Sequence, residues 1–305
     1  MANKILMTGA TGSIGQYLVR ELTTRGDEVT IFTRNPEKAG QKLPGVKKFV
    51  KWDYERLDEW VNDLHGTDAV VHLAGANLGA KRWNKEYKKL SYDSRIISTR
   101  NLVEAIKSVE QKPKVFICAS AVGIYGNRYD EVLDENSSPG NDYLANLCND
   151  WEKEVQKVEQ FCVRRVSVRT GLVLMKDEGV LKQMLLPFKL FIGGPLGNGK
   201  QWFPWIHIDD IVGIYKHAIN NENVAGAING ASPGIVRMKK FANTLGKVLK
   251  RPSLFPVPKS TLKLAVGELA DYAVMSQRTS VEKILNAGYK FKFENMEAAL
   301  RNLLK

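Results

Sequence analysis

Cysteine is scarce. Cys118, Cys148 and Cys162 are scattered through 305 positions without a C-x-x-C pair. An odd, dispersed set argues against a disulfide framework or a thiolate zinc site and suits a reducing compartment, so a cytoplasmic location is expected and no metal is. Long apolar runs are also missing. None approaches the ~18 residues that a spanning helix requires, and "MANKILMTGATG" enters a strand pattern with no leader-type segment before it. No membrane partner is expected. Helix-turn-helix cues, zinc-finger spacing and stacking aromatics beside basic residues are absent too. The positive residues are dispersed, as at 47–48, 81–89 and 239–240, although the formal net charge is +12. Nucleic acid is therefore not an expected partner. A solvated basic surface that helps attract an anionic cofactor accounts for the charge.

What is present is ordinary globular composition, 44% apolar and 26% charged. The first half alternates short apolar runs with helical patterns. "KILMTGA", "EVTIFTR", "KKFVKWD", "DAVVHLAG", "KVFICAS" and "CVRRVSVRTGLVL" read as six strands. "IGQYLVRELTTRG" is a helix with Ile14, Leu18, Val19 and Leu22 on one face and Gly26 as its stop. "RLDEWVNDLHG" reads as helical, and further helices are expected over 84–108, 142–160 and 209–220. This alternation predicts an α/β fold, a Rossmann-type doubly wound parallel sheet covered on both faces. Past residue 175 the pattern loosens into Gly- and Trp-rich loops, and from 237 it turns helical around the Pro-marked "RPSLFPVPKS". The expected organisation is a dinucleotide-binding domain over 1–236, with 175–236 partly lining a substrate cleft, and a smaller helical lobe over 237–305.

"TGATGSIG" spaces Gly9, Gly12 and Gly15 as G-x-x-G-x-x-G between a strand and a helix. Glycine suits a tight turn, close approach of backbone to a pyrophosphate, and helix packing against the strand. Phosphates then face free N–H groups at the positive helix end. Thr11, Ser13 and Ile14 belong to the same cradle. At the end of the second strand stand Thr33 and Arg34, where an NAD site usually presents an acid. Hydroxyl and guanidinium can bond a 2′-phosphate that no carboxylate repels, so NADP(H) is favoured over NAD(H).

These motifs resemble the extended short-chain dehydrogenase/reductase superfamily of the nucleotide-sugar epimerase type. "HLAGA" (72–76), "ASAVGIYG" (119–126), "VRTGLVL" (168–174) and "WIHIDDI" (205–211) extend the likeness along the chain. With "AGANLGAKRWNKEYKKLSYDSR" and a tail ending "FENMEAALRNLL", the chain is similar to an atypical, epimerase-named subgroup that has its own C-terminal domain. The resemblance implies that Leu73, Ala74 and Gly75 pass beneath the adenosine and ribose. It also implies a catalytic Tyr at 143 with Lys four residues later, but position 147 is Leu. The hydroxyl partner is displaced as well: Ala121 holds its place, with Ser120 one residue earlier. Arg95 stands where Asn is usual and brings a permanent cation toward cofactor phosphates or substrate. Phe203 replaces the arginine that grips a diphosphate, which argues against a nucleotide sugar.

The expectation is an NADP(H)-binding, epimerase- or oxidoreductase-like protein without the Tyr–Lys proton relay. Its substrate is a small molecule of unassigned identity, and Tyr143 and Ser120 are the candidate catalytic groups. The alternative is a catalytically silent NADP(H)-dependent sensor or regulator. Related folds often form homodimers through two helices of the large domain. His207, Asp209 and Asp210 read as a loop and helix start rather than a catalytic or metal cluster. Cys148 reads as a buried thiol. Trp83, Trp202 and Trp205 either wall the substrate cleft or form core, and Asp53 either meets an adenine amino group or simply ends its strand.

Overall fold

Strands rich in Val, Ile and Phe need cover on both faces. In the computed structural model, which describes residues 2–305, they form one parallel sheet. β1 (Lys4–Thr8) leads into α1 (Ser13–Thr24), β2 (Glu28–Thr33), α2 (Pro36–Lys42), β3 (Lys48–Lys51) and β4 (Ala69–His72). The long α3 (Lys85–Ser108) follows, then β5 (Val115–Ala121), β6 (Val132–Leu133), α4 (Tyr143–Gln156), β7 (Arg164–Thr170) and β8 (Leu172–Leu174). Next come α5 (Gly179–Lys189), β9 (Trp202–Phe203), β10 (Trp205–His207), α6 (Ile208–Asn220), β11 (Gly226–Gly230) and β12 (Val236–Arg237). The chain ends through α7 (Met238–Leu249), α8 (Lys259–Val266), α9 (Leu269–Ala273), β13 (Arg278–Thr279), α10 (Glu282–Asn286) and α11 (Met296–Leu304).

The sheet order is β11-β7-β5-β4-β1-β2-β3, seven strands with parallel neighbours throughout. Chain order reverses between β1 and β4, and the crevice at that reversal is where such sheets take ligands. One face is closed by α1 and α6, whose Leu18, Leu22, Ile211 and Ile214 pack on Ile5, Met7 and Val71. The other is closed by α3 and α4 through Leu102, Ile106, Trp151 and Val155 against Leu6, Val70 and Phe116. A third core joins Leu181, Phe188, Phe203 and Trp205 to Phe241, Leu245 and Leu300. The stretch after β8 therefore packs with the C-terminal helices.

Four elements depart from the sequence expectation. "RLDEWVNDLHG" is not one helix but two 3-10 turns, Leu57–Glu59 and Val61–Leu64. Trp60 breaks it, because its indole donates to Asp53 O at 2.7 Å while its ring buries against Phe32. The sixth strand is split at Gly171, where a Cβ would lie 2.2 Å from Pro204 O. "GAING" forms the edge strand β11, and its small residues hide the strand pattern. Helix α5 forms in the loosened region despite Pro187 in its interior.

Candidate functional site

The cradle forms where β1 ends. Gly9 has φ +67°, and a Cβ there would stand 2.5 Å from the Leu73 carbonyl carbon. Only glycine meets both demands. At Gly15 a Cβ would lie 2.5 Å from Gly9 O, so α1 starts hard against the turn. The loop after β4 nests on the same turn: Leu73 N donates to Thr8 O at 3.2 Å and Ala74 N to Thr8 Oγ1 at 3.3 Å. Gly12 is the N-cap of α1; no side chain caps the helix, and its first turn holds no acid. The positive end of α1 thus faces outward with N–H groups to donate. Glycine-only space beside open amides fits a dinucleotide pyrophosphate. A carboxylate borders it: Glu178, from the residue before α5, accepts from the Ser13 hydroxyl.

Thr33 closes β2, and its Oγ1 accepts from Asn35 N at 3.4 Å. Arg34 is exposed and, among the described residues, makes no ion pair or side-chain hydrogen bond. Its guanidinium is free to bind an anion. Across the cradle, Gly75 leaves room for Arg95, whose Cζ would be 2.9 Å from a Cβ there. Arg95 Nη1 donates to Ala76 O at 3.1 Å and Ser91 O at 3.0 Å, and its Cζ lies 5.2 Å from the Trp151 ring centre. Among the described residues no carboxylate pairs with it. Burial lowers its pKa.

Tyr143 is the first residue of α4. Its hydroxyl donates to Lys88 O at 2.8 Å, and its ring meets Trp83 edge-on at 5.5 Å. Burial raises its pKa above 10, and the opposing pull of Arg95 does not cancel that. Leu147 is buried, 2% exposed, where a lysine would carry charge. The neighbouring Cys148 thiol is pushed up to about 12 by burial, which leaves it no thiolate character at neutral pH. The Ser120 hydroxyl donates to Glu152 Oε1 at 2.6 Å. The Ser120 hydroxyl thus lies beside an ion pair.

That ion pair was not anticipated from sequence. Arg169 on β7 grips Glu152 on α4 through Nε and Nη2, both at 2.9 Å. Its Nη1 donates to Tyr125 Oη at 3.0 Å, and Tyr125 in turn donates to Asn229 on β11 at 2.7 Å. Burial pushes the Tyr125 phenol up to about 12. The partners lie 17 to 104 residues apart, beyond any local pattern. His72 was passed over as well. Fully buried, it sits between Thr8 Oγ1 at 2.7 Å and Ser98 Oγ at 3.3 Å, and desolvation lowers its pKa to about 3.

The remaining candidates separate cleanly. His207 Nδ1 accepts from Asp209 N at 3.0 Å, so His207 itself caps α6. Asp210 is buried and accepts from Lys292 N at 2.7 Å and Phe293 N at 3.0 Å. Trp205 is core, with its indole donating to Gly234 O at 2.9 Å. Trp202 lies between the guanidinium groups of Arg237 and Arg278, 4.7 and 4.9 Å from its ring centre. Trp83 packs between Tyr143 and Tyr272. Asp53 does not end β3 but stands two residues beyond it, accepting from Glu55 N at 3.1 Å. Among the described residues no cluster of His, Cys, Asp or Glu could hold a metal, and no helix is long and apolar enough to cross a membrane.

A parallel sheet in this order, with a glycine turn at its reversal, defines a Rossmann-type protein. The chain belongs to the NAD dependent epimerase/dehydratase family, whose model matches residues 5–229. A domain of unknown function, DUF1731, matches residues 257–303. The chain is 40% identical over 303 residues to the chloroplastic epimerase family protein SDR39U1 homolog of Arabidopsis thaliana, covering 99% of this chain and 86% of that one. It is 36% identical to epimerase family protein YfhF of Bacillus subtilis, covering 98% and 97%. Among solved structures it resembles human epimerase family protein SDR39U1 with NADPH, at TM-score 0.86 and 34% identity over 98% of both chains. The resemblance to an epimerase-named subgroup with its own C-terminal domain therefore holds.

Proposed function

We propose that the protein binds NADP(H) and acts as an oxidoreductase- or epimerase-like protein on a small molecule without a Tyr–Lys proton relay. The glycine-only turn, pressed against Leu73 and Ala74 with the N-terminus of α1 open, carries this reading. Gly9, Thr11, Gly12, Ser13, Ile14 and Gly15 hold the pyrophosphate, while Leu73, Ala74 and Gly75 support the adenosine ribose. Thr33 and the unpaired Arg34 bond the 2′-phosphate, and Arg95 adds positive charge on the far side. NADPH in the human relative supports the choice of cofactor. When bound, the nicotinamide supplies hydride chemistry. The chain's own part is to bind and orient, because position 147 gives Tyr143 no lysine one turn on, and Lys88, whose Nζ lies 5.1 Å from the Tyr143 ring centre, is paired with Glu268. Any proton then passes through Tyr143, Ser120 or a cofactor-ordered water. Buried Phe203 offers a diphosphate no charge, which argues against a nucleotide sugar as substrate.

In this proposal residues 1–236 form the cofactor domain, 175–236 contribute to the cleft, and 237–305 form the C-terminal domain. A homodimer through two helices of the large domain and a reducing, cytoplasmic setting, suggested by three unpaired thiols, belong to the same reading. Calorimetry on ligand-stripped protein tests it: heat with NADPH and much weaker heat with NADH are expected. No heat with either nicotinamide overturns it.

One observation favours a second reading, a catalytically silent NADP(H) sensor. The Tyr143 and Ser120 hydroxyls are both engaged, with Lys88 O and Glu152. Carbonyl compounds and sugars screened by NADPH absorbance separate the two. Turnover that falls in the Tyr143→Phe, Ser120→Ala double variant supports the enzyme. Tight NADPH binding with no turnover supports the sensor.

A further inference from the structure

The net charge of +12 is unevenly placed. Residues 179–201 carry Lys182, Lys189 and Lys200, residues 238–266 carry seven cations, and neither stretch has an Asp or Glu. With 33 acids in 305 residues, two acid-free runs of this length stand apart. They are also neighbours in space. Phe255 N donates to Gly193 O at 3.2 Å, Val257 N donates to Pro195 O at 2.9 Å, and Arg251 Cζ lies 4.5 Å from the Phe191 ring centre.

Large apolar side chains are exposed along this seam. Leu186 lies on α5 one turn before Leu190, its C-cap; Phe191 and Ile192 follow; Leu254 and Phe255 stand between Pro252 and Pro256. These six are 53–71% exposed. Phe191 has φ +62°, which bulky residues rarely adopt. It is held by bonds from Phe191 N to Phe188 O and from Ile192 N to Pro187 O, both 3.0 Å. Single exposed apolar residues are ordinary, but six in one region mark an interaction site. Lys182, Lys189, Lys250 and Arg251 stand in the same two stretches, and among the described residues they form no ion pair.

We propose that this face adsorbs to an anionic lipid surface. The six apolar side chains enter the headgroup boundary, and the four free cations meet lipid phosphates and carboxylates. Interfacial binding combines these two attractions and needs no spanning run. The proposal thus reaches beyond the expectation of no membrane partner, which rested on run length. Protein interfaces deplete lysine and favour arginine, yet three of the four free cations are lysine. A second copy would bring like charges together. The chemistry of the face therefore favours lipid, independently of the cofactor assignment.

Sedimentation of the purified full chain with phosphatidylcholine vesicles, with and without phosphatidylserine, tests this. Binding to the phosphatidylserine vesicles alone, released by high salt, is expected. Because each surface cation contributes roughly fivefold in partition, Lys182→Glu with Lys189→Glu should weaken binding more than tenfold, as should Leu254→Ser with Phe255→Ser. Both pairs should keep the wild-type melting temperature and NADPH affinity. No binding, equal binding to both vesicles, or variants that bind as wild type overturn the proposal. So does a wild-type dimer that Leu254→Ser with Phe255→Ser converts to monomer, because it assigns the face to a second copy.

Discussion

Two side chains show how little local sequence says about a residue's energetics. Arg34 stands at a strand end where the sequence places a 2′-phosphate, but only the fold shows that no protein group pairs with it there. Charge-assisted hydrogen bonds contribute about 1.5–3 kcal/mol, so Arg34→Ala should weaken NADPH at least tenfold and barely alter NADH. Titration by tryptophan fluorescence reads both, and equal losses remove the phosphate role. His72 is the opposite case, fully enclosed and held neutral with a pKa near 3. Since the unfolded chain protonates this group at 6.5 and the folded chain does not, its stabilising contribution is complete above pH 6.5. It shrinks as pH falls toward 3, by about 1.4 kcal/mol per unit. Urea midpoints measured from pH 7 to pH 5 should fall in the wild type and fall less in His72→Gln. Parallel slopes would mean that other groups govern acid sensitivity.

The elements are positioned by a few contacts that propensity does not reveal. The turn between β1 and α1 depends on Gly9, where positive φ and the nearby Leu73 carbonyl both exclude a side chain. Gly9→Ala should abolish measurable NADPH binding and destabilise the fold by about 1–3 kcal/mol, the usual strain of such a backbone conformation. Wild-type affinity by calorimetry would show that the turn is not the cradle. Between α4 and β7, Arg169 and Glu152 are nearly enclosed, with 9% and 11% side-chain exposure. Removing one member of such a pair strands the other charge, so Glu152→Ala should cost about 3–5 kcal/mol in chemical denaturation. A loss below about 1 kcal/mol would place this pair with exposed ones. Helix α1 was legible by its amphipathic period and the strands β1 to β5 by their short apolar runs, because pattern follows burial. The turns at 57–64, the break at Gly171 and strand β11 were not, since Trp60's contacts with Phe32 and Asp53, Pro204, and neighbouring β7 decide them.

Across the whole molecule, the C-terminal segment is fastened to helix α6 by Asp210. Its buried carboxylate receives Lys292 N and Phe293 N and lies 3.2 Å from the Tyr289 hydroxyl. Asp210→Ala leaves those donors unpaired and should lower stability by about 2–4 kcal/mol, since buried donors cost about 1–3 kcal/mol when orphaned and more beside charge. Limited proteolysis should then cut first within 286–305. Cleavage elsewhere at the wild-type rate would show that Asp210 does not hold the segment. In "WIHIDDI" the helix start was readable, but not the division of labour in which His207 caps and Asp210 reaches a segment some 80 residues later.

By itself the sequence determined the parallel α/β sheet, the glycine turn between β1 and α1, and the loss of a lysine at 147. Each is set within a few residues by burial period, by a missing Cβ or by side-chain identity. Only the tertiary structure decided that Ser120 belongs to the Arg169–Glu152 pair, that Tyr143 is bonded to Lys88 O, and that Arg95 is enclosed without an acid. Those outcomes depend on which groups meet across strands and helices, and a buried charge or hydroxyl takes the partner that folding brings to it, at whatever separation along the chain.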